Sequence, residues 1–202
     1  MTFTIRALTP DEPELYREIR LEALRLHPEA FGASYQDEAA RPLSHFAERL
    51  AGSVIFAGFP APVPPASAAA TVHPSGPLGS GAVPAISMAS AAPGATEAPL
   101  IPLGTAGFQR QAGAKRVHKA TLWGMYVRRQ ARGTGLARAL VDAVLAHAAG
   151  RVELVQLSVV ADNLGAQKLY AAAGFVPYGL EAHSLKLDDR YLDEVLMVRM
   201  LP

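Results

Sequence analysis

The chain has no cysteine in its 202 residues, which excludes a disulfide framework, a thiolate zinc site and a covalent acyl-cysteine intermediate. Any acyl transfer is therefore expected to be direct. A strong charge of either sign is also missing: 19 Lys and Arg stand against 18 Asp and Glu, a formal +1. That gives no field to argue for nucleic acid or an anionic membrane as the main partner. The uncharged stretch after Ser53 is broken by Pro60, Pro62, Pro64 and Pro65, whereas a membrane span needs about 20 uninterrupted apolar residues. The opening MTFTIRALTPDE lacks the basic flank and apolar core of a signal peptide, so a cytoplasmic location is expected. What the chain does have is apolar matter, 50% of the residues, enough for one ordinary core.

Periodicity divides the chain into elements. Thr2 to Leu8 alternates as a strand does, and Thr9, Pro10 and Glu12 read as a capping box with Pro10 at the first helical position. Tyr16, Ile19, Ala23 and Leu26 mark the buried face of the helix that follows, which His27 and Pro28 end. A second helix carries Leu43, Phe46 and Leu50 and stops near Gly52. Strands are predicted at 54–59, 104–110, 120–127, 152–160, 175–187 and 191–201, with helices after 136 and after Asn163. Between residues 60 and 102 lie ten of the 16 prolines, and Glu97 is the only charge. This stretch predicts a mobile insertion between the second and third strands of a single domain spanning 1–202.

The densest chemical signal is RGTGLA, residues 132–137, between a strand and a strong helix. Glycines there let backbone N–H groups approach a phosphate, and a helix N-terminus adds partial positive charge. Gly133 and Gly135 meet that need, and Arg128, Arg129, Arg132 and Arg138 surround the turn. Two familiar phosphate motifs do not fit. The Gly-Lys-Ser/Thr ending of a P-loop is absent, and bulky Arg138 occupies the place of the third small residue of a dinucleotide fingerprint.

Arg132, Gly135 and Ala137, preceded by LWGMYV and followed by Asn163 to Tyr170 and the pair Gly174 and Phe175, resemble the GNAT superfamily of N-acetyltransferases. The segment YREIRLEALRLHPEAFGAS is similar to members of the same family. The resemblance implies an α+β fold with helices on both faces of a mostly antiparallel mixed sheet. It implies six or seven strands, about four helices, and a parallel fourth and fifth strand that splay apart. It further implies acetyl-CoA as co-substrate and no metal. Pantetheine would pair with backbone at Met125, Tyr126 and Val127. The pyrophosphate would lie on the amides of Gly133, Thr134, Gly135, Leu136, Ala137 and Arg138 beside Arg132, and Asn163 would touch the coenzyme.

By the same matching Tyr170, seven residues after Asn163 and so about two helical turns on, is the general acid for the leaving thiolate. The positions at which relatives carry a basic carboxylate hold Thr121 and Ser158, and neither is a base at neutral pH. Glu22, His118, His183, Asp193 and Glu194 stay open for that role. The acceptor expected is a primary amine of a small molecule or peptide. The resemblance allows a homodimer and gives nucleic acid and membrane no part. Loss of the usual base leaves a second reading, an acyl-CoA-binding sensor.

Overall fold

Seven apolar runs of the sequence become seven strands of one mixed sheet. A computed structural model describes residues 2–61 and 101–202; the insertion predicted at 60–102 falls almost wholly outside the described residues. The strands are β1 (Phe3–Ala7), β2 (Val54–Pro60), β3 (Gly104–Arg110), β4 (Lys119–Val127), β5 (Leu154–Val160), β6 (Val176–Leu187) and β7 (Arg190–Met200), in the order β1-β2-β3-β4-β5-β7-β6. Five α-helices accompany them: α1 (Pro13–Leu26), α2 (Tyr35–Ala39), α3 (Leu43–Gly52), α4 (Leu136–Ala148) and α5 (Leu164–Ala172).

All neighbouring strands pair antiparallel except β4 and β5, which are joined through α4 and run parallel. A parallel pair needs such a crossover. Its pairing is short: Lys119 meets Leu154, Ala120 meets Val155 and Thr121 meets Gln156, and no pair follows. Leu122 to Val127 keeps only β3 as partner, and Leu157 to Val160 keeps only β7. The cause lies in β4. Between Trp123 and Tyr126 the strand advances three residues while β3 advances two, from Gly107 to Thr105. Gly124 takes φ 62 inside that bulge, and a bulge bends and twists its strand away from a regular ladder.

The sheet has a helix layer on each face. Leu136, Leu140, Val141, Val144 and Leu145 of α4 pack on one face with Leu122, Val155, Leu157, Val159 and Phe175. Each such side chain taken fully out of water contributes roughly 1.5–3 kcal/mol. On the other face Tyr16, Phe46 and Leu50 of α1 and α3 meet Ile55, Ala57 and Phe59, while Ile19 and Ala23 meet Tyr126. A 3-10 turn at Pro28–Ala30 brings the segment after α1 against β5 on this second face.

One expectation needs correction. The first helical residue is Pro13, not Pro10. Residue 12 precedes a proline, which disfavours helical backbone, and Glu12 sits at φ −117, ψ 38. The capping-box contact nevertheless forms, since the Thr9 N–H donates to Glu12 Oε2 at 2.9 Å; it closes a turn ahead of the helix. The expected helices are joined among the described residues by α2, which is capped by Ser34 accepting from the Asp37 N–H and spans five residues, too few for periodicity to reveal.

Candidate active site

The chain leaves β4 at Val127, makes a 3-10 turn over Arg129–Ala131 and enters α4 through Gly133 and Gly135. These glycines stand at φ 77 and 89, a left-handed conformation that costs other residues roughly 1–2 kcal/mol. A Cβ on either would meet nothing within 4 Å, so the space above the loop is open. The Thr134 hydroxyl donates to the Ala131 carbonyl at 2.7 Å and closes the turn. Gly135 is the N-cap of α4 and offers no side-chain cap, and the first turn carries no acid. Among the described residues no acceptor meets the N–H groups of Gly133 to Arg138. The result is a row of free amides at the positive end of a helix dipole. Leu136, fully buried, holds the loop to the sheet by packing directly over Gly58, where a side chain would collide with it.

The surrounding arginines are less available than the sequence suggests. Arg128 is buried and does not face the loop as a free cation. Its Nε and Nη2 donate to Glu22 at 2.7 to 3.1 Å, and Nη2 also reaches Glu18 at 3.0 Å. Arg132 donates from Nε to the Val127 carbonyl at 3.1 Å and meets His27 Nε2 at 2.8 Å. Arg138 reaches Asp142 at 2.9 Å and the Ala172 carbonyl at 2.8 Å, tying α4 to α5.

Met125, Tyr126 and Val127 lie on the part of β4 that has lost β5 as partner. Met125 and Val127 turn toward the α4 core, and Tyr126 turns under α1. The Tyr126 hydroxyl donates to Glu22 Oε1 at 2.8 Å. Burial and then this bond push the Tyr126 phenol up to about 12. Burial alone would raise the Glu22 carboxyl, but hydrogen bonds from Arg128 and Tyr126 outweigh it and hold the group below the usual value of 4.5. Glu22 is therefore a bound anion that fastens α1 to the end of β4, and a poor proton acceptor.

Asn163 caps α5, its Oδ1 accepting from the Ala166 N–H at 3.1 Å. Tyr170 follows on that helix, 5% exposed, with its ring edge-on to Phe175 at 5.9 Å between centroids. Burial raises its pKa, so the phenol keeps its proton at neutral pH. Its hydroxyl bonds to no described group. The fully sealed side-chain polar atoms without a partner among the described residues are Tyr16 Oη and Trp123 Nε1.

The remaining base candidates separate by position. His118 precedes β4 and lines a cavity with Arg110 and Glu153; nine residues of extended strand, roughly 30 Å, lie between it and Val127. His183 takes φ 54 in β6, stacks on Tyr191 at 4.5 Å and donates its N–H to Asp193 Oδ1 at 2.8 Å. Glu194 accepts from Ser158 Oγ at 2.9 Å and Ser184 Oγ at 2.7 Å. Ser184 carries no sequence signal, because only the register of β6 against β7 brings it there. The β4 aromatics are core-packed: Tyr126 is 6% exposed and Trp123 sits against the α1–α3 cluster. No helix among the described residues is long and apolar enough to cross a membrane.

A parallel pair opens after three residues beside a loop of amides that no described group meets, at a helix N-terminus. Residues 95–175 match the model of the acetyltransferase (GNAT) family. Solved structures share the fold. A GNAT-family acetyltransferase of Streptococcus pneumoniae aligns with TM-score 0.71 at 14% identity over 100% of both chains. A Salmonella typhimurium protein assigned as an acetyltransferase, with its cofactor acetyl-CoA, aligns with TM-score 0.65 at 17% identity over 100% of this chain and 95% of its own. The ribosomal-protein-alanine N-acetyltransferase of Brucella melitensis aligns with TM-score 0.67 at 18% identity over 98% and 99%. No curated protein sequence matches the chain.

Proposed function

We propose that the protein transfers an acetyl group from acetyl-CoA to a primary amine of a small molecule or peptide, in the cytoplasm, by direct attack within a ternary complex. The observation that carries this reading is the junction of the opened β4 edge with the unpartnered amides of Gly133 to Arg138. The coenzyme's pyrophosphate would accept from those amides beside Arg132, and its pantetheine would take the place that β5 vacates along Met125, Tyr126 and Val127. The Asn163 oxygen caps α5, and its amide nitrogen, which bonds to no group among the described residues, would meet the coenzyme.

The chemistry needs a neutral amine, a donor to the developing oxyanion and a proton for the thiolate. A backbone N–H of the free β4 edge serves as the donor. Tyr170 supplies the proton, since burial keeps its phenol protonated at neutral pH and the hydroxyl carries no competing bond among the described residues. The carbonyl carbon gains the amine nitrogen, which gives up one proton to water, and releases sulfur, which leaves as thiol on taking the Tyr170 proton; the phenolate then regains a proton from water.

One observation favours a second reading, a coenzyme-binding sensor: Thr121 and Ser158 hold the places of the usual acid, and Glu22 is engaged by Arg128. Thiol release with and without a panel of amines separates the two. Amine-dependent release supports transfer. Tight acetyl-CoA binding with no release for any amine would establish the sensor instead.

A further inference from the structure

Thr121 pairs with Gln156, so the two share a sheet face. Alternation along β5 puts Ser158 and Val160 on that face too, the one that carries α1 and α3 on its other half. Val160 pairs with Glu194 of β7, which places Glu194 beyond the last β4–β5 pair, on the wall of the opened cleft. The turn at Pro28–Ala30 lies against β5, and Gly32 stands beside Leu185, so the segment after α1 frames the same space.

Glu194 is held for a purpose other than pairing within the protein. Its two oxygens each accept one serine hydroxyl, Ser158 from β5 and Ser184 from β6. No salt-bridge partner meets it among the described residues. A carboxylate has about four acceptor sites, so half remain available. Ser184 reaches it through an irregular stretch of β6: Glu181 pairs with Glu194 and Leu185 with Leu192, so Ala182, His183 and Ser184 span the single residue Asp193. Such bulges re-aim side chains beside functional sites. His183 pays the conformational cost at φ 54, tethered through its N–H to Asp193.

We propose that Glu194 is the docking group for the acceptor's ammonium and selects alkylamines, protonated at neutral pH, over neutral arylamines, with Ser158 and Ser184 positioning its carboxylate. This rests on the acetyltransferase reading. An ammonium brings three donors and a charge to the remaining acceptor sites, and charge-assisted bonds are roughly twice as strong as neutral ones; the docked nitrogen attacks after releasing one proton to water.

The test compares two isomeric acceptors, 2-phenylethylamine and 4-ethylaniline, by thiol release, together with the best alkylamine from a screen. Acetyl-CoA affinity is measured on every variant as a check on folding. The wild type is expected to favour the alkylamines. Glu194→Gln is expected to raise KM for them about tenfold or more, the effect of a hydrogen bond to a charged group, with a smaller change in kcat and none in acetyl-CoA affinity or arylamine use. Ser158→Ala and Ser184→Ala should raise the same KM by about threefold, a partial loss of such a bond. Unchanged alkylamine KM in Glu194→Gln with normal acetyl-CoA binding overturns the proposal, as does an equal loss for both amine classes. If Glu194→Gln loses acetyl-CoA binding through misfolding, the serine variants decide: unchanged KM in both overturns it. A wild type that binds acetyl-CoA and acetylates no amine refutes the acetyltransferase reading itself, and is recognised before any variant is made.

Discussion

The two walls of the splayed cleft are built by different means. On the β4 side everything needed sits in one stretch of chain: a bulge at Gly124, an unpaired edge to Val127, two left-handed glycines and a helix N-terminus. On the β5 side the comparable polar group is assembled from three strands, with Ser158, Ser184 and Glu194 far apart in sequence. A main-chain site depends on backbone conformation and tolerates many side chains. A side-chain site depends on register, and each strand can be altered separately.

The sharpest way to break the comparison is to put a side chain into the main-chain site. Gly135→Val forces a β-branched residue into φ 89 and fills the space above the loop. Acetyl-CoA affinity measured by calorimetry should fall about 100-fold or more, close to 3 kcal/mol, while circular dichroism remains that of a folded protein. Normal affinity in a folded variant would remove the loop from the coenzyme site.

Next in size is a change that should leave binding alone. Tyr170→Phe removes one hydroxyl that bonds to no group among the described residues, on a ring that packs edge-on to Phe175. Turnover should drop about 100-fold, within the range of a general acid, and acetyl-CoA affinity should stay within about twofold. Because burial raises the Tyr170 pKa above the ordinary 10, deprotonation of this phenol should not limit wild-type turnover below that pH. Equal turnover of variant and wild type at every pH would take Tyr170 out of the mechanism.

The same contrast explains what the sequence made legible. Strand positions were readable because apolar alternation is local, and β3 matches its expected span, Gly104–Arg110, residue for residue. The glycine loop was readable because only glycine comfortably takes the backbone it needs. The role of Glu22 was not. A helical carboxylate looks solvated until tertiary packing sets Arg128 and Tyr126, more than a hundred residues later, within hydrogen-bonding distance. Ser158 likewise read as a missing acid, and its bond to Glu194 depends on the β5–β7 register that one sequence does not display.

Glu22 also offers a measurement of intermediate size. Glu22→Gln leaves buried Arg128 with weaker partners and should destabilise the protein by about 1–3 kcal/mol, below the full cost of a broken buried pair because Glu22 is partly exposed. The melting temperature should fall by roughly 2–4 °C for each kcal/mol in a domain of this size. The pH dependence has a definite sign. Glu22 has a lowered pKa in the folded protein, so its contribution is present above the unfolded value of 4.5 and is lost as pH falls through the folded one. The variant should lack this part of the acid destabilisation, and its stability should change less than the wild type's below pH 4.5. Parallel acid profiles would mean that the carboxylate does not fasten α1 to β4.

The smallest expected effect concerns neither wall. The Leu103 N–H donates to the Gly58 carbonyl at 2.7 Å, and Gly58 pairs with Gly104, so β2 and β3 are antiparallel neighbours up to the point where the described chain breaks off. A short turn can join strands so placed. Replacing 62–100 with about four turn residues should leave acetyl-CoA affinity and turnover within about twofold, since both proposed walls lie beyond β3. Stability should rise slightly, because shortening a strand connection roughly tenfold saves on the order of 2 kcal/mol of closure entropy. A melting temperature that rises by several degrees with unchanged kinetics would mark the segment as an insertion into a complete domain. A fall in stability would mean that residues 62–100 hold the β2–β3 pair in place, and a selective rise in acceptor KM would assign them to the acceptor side of the cleft.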